Sequence, residues 1–176
     1  MQLKTIRIEK PDTANLIFGQ CRSAKTLEAI HVALEQIGSE FPFGIAFCEA
    51  SGKRLVLCAG TDDVMIELAK KNAAAIGAGD TFLVFFGAVP PFGEILAAIK
   101  SLPDVCGIYC ATANPLEVIL AETSQGHGVV AVVDGYSPQG VEPREETTWR
   151  ENYLHHVTGF GKLGDRPREP KPSETQ

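Results

Sequence analysis

Two short, uninterrupted apolar runs, Gly44-Ile45-Ala46-Phe47-Cys48 and Thr81 to Phe86, constrain this chain most. Neither alternates polar with apolar residues, and both are too short for a stable helix. They read as buried strands, the first covered on both faces. The opening segment Lys4-Thr5-Ile6-Arg7-Ile8 does alternate, as a strand with one wet face would, and turn residues from Pro11 to Asn15 close it. Arg54-Leu55-Val56-Leu57 returns beside the Gly44 run across the turn Ser51-Gly52-Lys53. Three further β-runs are predicted at Gly107 to Ala111, Leu116 to Ala121 and Val129 to Val133. The turn signals Asn114-Pro115 and Gln125-Gly126 separate them.

Helical spacing supplies the covering layers. Leu27, Ile30, Leu34 and Ile37 predict a helix that Ser23 caps and a left-handed Gly38 ends, with His31 on its polar side. Thr61-Asp62-Asp63 begins a second helix, which buries Ile66, Ala69, Ala73 and Ile76 and stops at Gly77. Pro90-Pro91 starts a third, carrying Ile95, Ala98, Ile99 and Leu102 up to Pro103. Past Pro143, Trp149, Tyr153 and Val157 predict a last helix stopped by Gly159, packed on the sheet edge or on a neighbouring subunit. The expected fold is α+β, one domain over residues 1–160 with a mixed sheet flanked by helices. Residues 161–176, proline-rich and nearly without apolar side chains, read as a flexible tail.

The 176 residues suffice for a core without disulfides or metals. With 44% hydrophobic residues, 22% charged and a net charge of -6, the chain is neither a disordered protein nor a nucleic-acid binder. No run of eighteen apolar residues occurs and the N-terminus has no signal-peptide pattern, so a soluble cytoplasmic protein away from membranes is expected. Cys21, Cys48, Cys58, Cys106 and Cys110 form no CxxC pair and read as reduced thiols, mostly buried. Cys106 and Cys110, four apart on one strand, are expected to share a face and pack in the core.

Two nucleotide-binding patterns fail on physical grounds. Gly159-Phe160-Gly161-Lys162-Leu163-Gly164 fits GxGxxG, but it follows a helix and leads into the tail, with no helix dipole to offer a phosphate. Ser51-Gly52-Lys53 resembles the end of a P-loop, yet Phe47 stands where the first glycine belongs and Arg54 where magnesium needs a hydroxyl. His155-His156 reads as a solvated helix face.

Polar residues immediately beyond the apolar strands are the remaining candidates, since open α/β sheets place ligands there. Glu49, Ser51 and Lys53 follow the Gly44 strand, and Gly77-Ala78-Gly79-Asp80 is either a helix cap with a turn or a backbone that a ligand can approach closely. Thr112, Ala113 and Asn114 follow the Gly107 strand; Asp134, Tyr136 and Ser137 follow the Val129 strand. Asp134 alone could be a turn residue. With Tyr136 to stack and Asn114 to pair with a base edge, it matches what a ribonucleoside demands. Lys53 and Arg54 are either donors for one phosphate or a basic hairpin tip in water.

Four strings resemble the adenosine-specific kinase family of small archaeal and bacterial proteins: Phe43 to Leu55, Ala75 to Phe82, Cys110 to Pro115, and Val132 to Pro138. The resemblance implies a compact α+β subunit that forms a homo-oligomer, a trimer being the expected form, and binds adenosine or AMP. The family is associated with a histidine able to carry phosphate. Some members have one just after the strand that here reads Leu55-Val56-Leu57, where this chain has Cys58-Ala59-Gly60. His127 is the other loop histidine near the candidate site.

Together these readings describe an adenosine- or AMP-binding phosphotransferase acting on the nucleoside 5′-hydroxyl without a Walker loop. Lys53, Asp134 and Glu49 are its catalytic candidates, and Ser51, Thr112, Asn114, Tyr136 and Ser137 its binding candidates. Any magnesium would be held by Glu49 or Asp134. The alternative is a nucleoside-binding or sensing homo-oligomer without turnover.

Overall fold

A computed structural model describes residues 1–87 and 91–158 of the chain. By contact the chain forms two units, Met1–Tyr136 and Ser137–Gln176. In the first, β1 (Gln2–Arg7), β2 (Asn15–Cys21), α1 (Lys25–Ile37), β3 (Phe43–Cys48), β4 (Val56–Gly60), α2 (Asp63–Ile76), β5 (Thr81–Phe86), α3 (Phe92–Ser101), β6 (Val105–Thr112), β7 (Leu116–Glu122) and β8 (His127–Asp134) follow in order. The class is α+β, as expected. The strands, however, make two sheets rather than one mixed sheet: a five-stranded sheet of order β4-β3-β5-β2-β6 and a three-stranded sheet of order β1-β7-β8. Every pairing between named strands is antiparallel.

Strand β3 shows why the central sheet reads as apolar throughout. Phe43, Ile45 and Phe47 face a core completed by Ile30 and Leu34 of α1 and Ile95 and Ile99 of α3. Ala46 and Cys48 face the other core, where Met65, Ala69, Ala73 and Ile76 of α2 lie beside Leu116, Val118 and Leu120 of β7. Both faces are dry, so alternation survives in side-chain size instead of polarity. On the α2 side the small residues let the helix come close: a methyl group on Gly44 would collide with the main chain of Met65 and Ile66.

Several local expectations change. The segment Asn15–Cys21, to which the sequence assigned no element, is a strand, and it occupies an interior place between β5 and β6. Gly38 has φ 158° and ψ 158°, near extended and not left-handed, and Ala24 takes the α1 N-cap position while Ser23 Oγ accepts from the Lys25 N–H. His31 is half-buried and meets Phe43 edge-on, with ring centroids 5.3 Å apart, so it does not lie on a wholly polar face. In α2 the expected cap holds. Asp62 accepts from the Met65 N–H, and Gly77, left-handed at φ 59°, returns its N–H to the Ala73 carbonyl. Breaks in the β2–β6 register disturb the alternation of β6, leaving Cys106 exposed while Cys110 packs at the core's edge. Cys58 is exposed as well.

In the second unit α4 (Arg144–Thr158) forms where the Trp149/Tyr153 spacing predicts it. Those two rings stack at 5.2 Å and 10°, and Glu142 accepts from Arg150 Nε at 2.8 Å. The side chains of His155 and His156, the Pro90 helix start, the Gly159 stop, the GxGxxG string and the 161–176 tail lie outside the described residues.

Gly44→Ala should destabilise the protein by about 3 kcal/mol, the upper range for forcing one extra carbon into a packed core, because rigid backbone and not a yielding side chain blocks it. Urea denaturation checks this.

Candidate functional site

Three short segments meet at one end of the first unit. The loop after β3 is tight: the Glu49 N–H donates to the Leu55 carbonyl and the Arg54 N–H to the Ser51 carbonyl, each at 3.0 Å. Within it Arg54 adopts φ 53°. A bulky side chain rarely takes that left-handed conformation without support from its surroundings. From α2 the chain passes through Gly77-Ala78-Gly79-Asp80, where the Asp80 N–H reaches the Cys48 carbonyl at 2.7 Å and ties the turn to β3. This segment is thus a helix cap and a turn, and its glycines also wall a cleft. The third segment is the β7–β8 hairpin, joined to the turn by a parallel bridge between Ala78 and His127.

Between them lies a cleft of about 810 Å³. That volume falls in the range of small-molecule pockets. Glu49, Arg54, Thr123, Gln125 and His127 give it polar groups, and Leu55, Val56 and Ala121 give it apolar wall. His127 is the fixed point. Its Nδ1 lies 2.8 Å from the Ile76 carbonyl, the end of α2, while Nε2 is 3.9 Å from Glu122 Oε1.

The sequence-predicted residues do not converge on this cleft. Glu49 lines it, whereas Ser51 and Lys53 are exposed members of the same loop outside its wall. At the other end of β8, roughly 20 Å away at the usual strand rise, Thr112, Asn114 and Asp134 do come together. Asp134 Oδ1 accepts from Thr112 Oγ1 at 2.6 Å and from Asn114 Nδ2 at 3.1 Å, and the Asn114 N–H donates to Thr112 Oγ1 at 2.9 Å. The trio ties the β6–β7 turn to the end of β8. Tyr136 is 85% exposed, and Ser137, also exposed, opens the second unit. Arg54, considered with Lys53 as a donor to phosphate, lines the cleft, whereas Thr123 and Gln125 were not among the candidate site residues and become relevant only through the hairpin's contact with the α2 turn.

Glu49 and Asp134, offered by the sequence as magnesium ligands, stand at opposite ends of β8. Among the described residues no three His, Cys, Asp or Glu side chains converge as a metal cage. Burial pushes the thiols of Cys21 and Cys48 up, and it pushes Cys110 up to about 12, with the nearby Asp134 charge adding to the effect.

These features define a small α+β protein with a polar, ligand-sized cleft between a strained loop, a helix C-terminus and a hairpin. The family described as "Adenosine specific kinase" matches residues 6–160, and the chain belongs to that family. Its structure is similar to the crystal structure of the PH1918 protein from Pyrococcus horikoshii OT3. The TM-score is 0.84 at 34% identity, covering 89% of this chain and 96% of that one. No curated protein matches the chain. Membership in the family supports an adenosine-kinase-like function. Among the described residues no helix is long and apolar enough to cross a membrane.

Two outcomes follow from this geometry. Asp134→Ala should cost on the order of 1–2 kcal/mol in urea denaturation, since two donors lose a charged acceptor at a partly wet site. The raised thiols give the second. A group held protonated by the fold binds more protons folded than unfolded, so its stabilising effect is complete below the ordinary thiol value of 9.0 and is lost as pH rises toward 12. Thermal melts from pH 8 to 11 should therefore show falling stability. Replacing Cys110 with Ala should flatten that fall.

Proposed function

We propose that the cleft binds adenosine or AMP and that the protein transfers a phosphoryl group to the nucleoside 5′-hydroxyl. The observation that carries this reading is the pairing of Glu49 and Arg54 in one 810 Å³ cleft, within a chain of the adenosine specific kinase family. A carboxylate accepts ribose hydroxyl protons, and a guanidinium holds a phosphate through two parallel donors. In this reading Arg54, of the two basic residues considered for holding phosphate, takes that role, with Lys53 and Ser51 exposed on the same loop. The strain at Arg54 supports it, because outlying backbone conformations concentrate at ligand clamps. Thr112, Asn114, Asp134 and Tyr136, at the far end of β8, would join this site from another subunit of a homo-oligomer. Within one chain we assign the first three to holding a turn.

Calorimetry with adenosine, AMP and ATP, beside labelled-phosphate transfer from several donors, tests the reading. Adenosine and AMP should bind more tightly than ATP, since the chain carries no Walker-type loop to cradle a triphosphate. Arg54→Ala should weaken AMP binding and phosphoryl transfer roughly tenfold to a hundredfold, the equivalent of about 1.5–3 kcal/mol for a charge-assisted bond, with adenosine binding little changed. Tight adenosine binding without product from any donor would leave a nucleoside-binding protein without turnover. Absence of adenosine binding would sink the cleft assignment.

A further inference from the structure

His127 is held as a proton acceptor must be held. A carbonyl oxygen only accepts, so the contact between Nδ1 and the Ile76 carbonyl at 2.8 Å places a proton on Nδ1. In the neutral ring the lone pair is then on Nε2. Among the described residues Nε2 has no hydrogen-bond partner, and the closest carboxylate, Glu122 Oε1, stands 3.9 Å away. The side chain is 23% exposed and belongs to the cleft wall. The Ile76 bond opposes rotation of the ring, and the parallel bridge to Ala78 fixes the backbone that carries it.

Groups of negative sign face the ring on both sides. The Ile76 carbonyl is at the C-terminus of a fourteen-residue helix, the negative end of its dipole. Glu122 lies on the Nε2 side, at a distance a modest side-chain movement would close. The other charged groups of the cleft are Glu49 and Arg54, both on the loop after β3. One fixed tautomer with a free lone pair in a ligand-sized cleft is what a general base requires.

We infer that Nε2 of His127 accepts the proton of the nucleoside hydroxyl that becomes phosphorylated. This rests on the cleft being the nucleoside site. In the step the O–H bond breaks and an N–H bond forms at Nε2. The hydroxyl oxygen bonds to phosphorus of a phosphoanhydride donor, and the bond from phosphorus to the donor's bridging oxygen breaks, that oxygen leaving with the electron pair. The imidazolium then returns its proton to water.

The test uses full-length protein carrying ¹⁵N-labelled histidine, with adenosine and 5′-deoxyadenosine as probes, and His127 signals assigned by their loss in His127→Asn. The free protein should show the Nδ1–H tautomer. Adenosine should shift Nε2, whereas 5′-deoxyadenosine, bound as judged by calorimetry, should not. His127→Asn keeps a donor near the Nδ1 position for the Ile76 carbonyl and removes Nε2. It should retain the melting temperature and adenosine affinity while transfer falls at least a hundredfold, the usual scale of a lost general base. Equal Nε2 shifts with both nucleosides, no shift with bound adenosine, or undiminished transfer by a folded His127→Asn each overturns the proposal while leaving the cleft reading intact. If adenosine fails to bind the parent, the cleft reading fails and this proposal with it.

Discussion

The contact between α2 and β3 at Gly44 sets the position of almost everything that matters for the cleft. Because a bare α-carbon faces the helix, the Met65–Ile66 main chain lies directly against the strand, and α2 is held at a depth no side chain could permit. That depth fixes where the helix ends. Gly77 turns out in the left-handed conformation, Asp80 ties back to Cys48, and the Ile76 carbonyl is left facing His127. Asn72, buried on the same helix, makes the placement specific. It bonds both the N–H and the carbonyl of Glu9 as well as the Leu68 carbonyl, so a buried amide is satisfied only in this arrangement.

The cleft lies where two kinds of structure meet. One wall is the end of a helix whose carbonyls are rigid and negative, and the other is a loop whose own hydrogen bonds hold Arg54 in an unfavourable conformation. Such a loop has a shape before any ligand arrives, which reduces the ordering cost of binding. The opposite end of β8 is organised differently. There Asp134 spends one carboxylate oxygen on Thr112 and Asn114, and the result closes a turn instead of opening a site.

Much of the fold was legible because its signals are local. The capping of α2 by Asp62 and Gly77 follows from backbone groups that neighbouring residues satisfy. The apolar runs of β3 and β5 follow from burial on both faces. Strand β2 was not legible for a related reason: Asn15-Leu16-Ile17-Phe18-Gly19-Gln20-Cys21 is flanked by turn residues and a helix start, and only pairing with both β5 and β6 makes it a strand. The division into two sheets was hidden too, since each β-run has the same local pattern whichever sheet it joins.

The sequence by itself determined the α+β class, the order of most elements, the resemblance to one family, and the local chemistry of Glu49, Arg54 and Asp134. Only the tertiary structure decided which of those groups share a site. Asp134 and His127 belong to one strand yet stand at opposite ends of it, because an extended chain carries its ends apart at about 3.3 Å per residue. His127 and Ile76 are 51 positions apart yet in contact. Adjacency across such a separation comes from helix depth and sheet pairing, which are sums over many weak contacts, and no short string of residues encodes it.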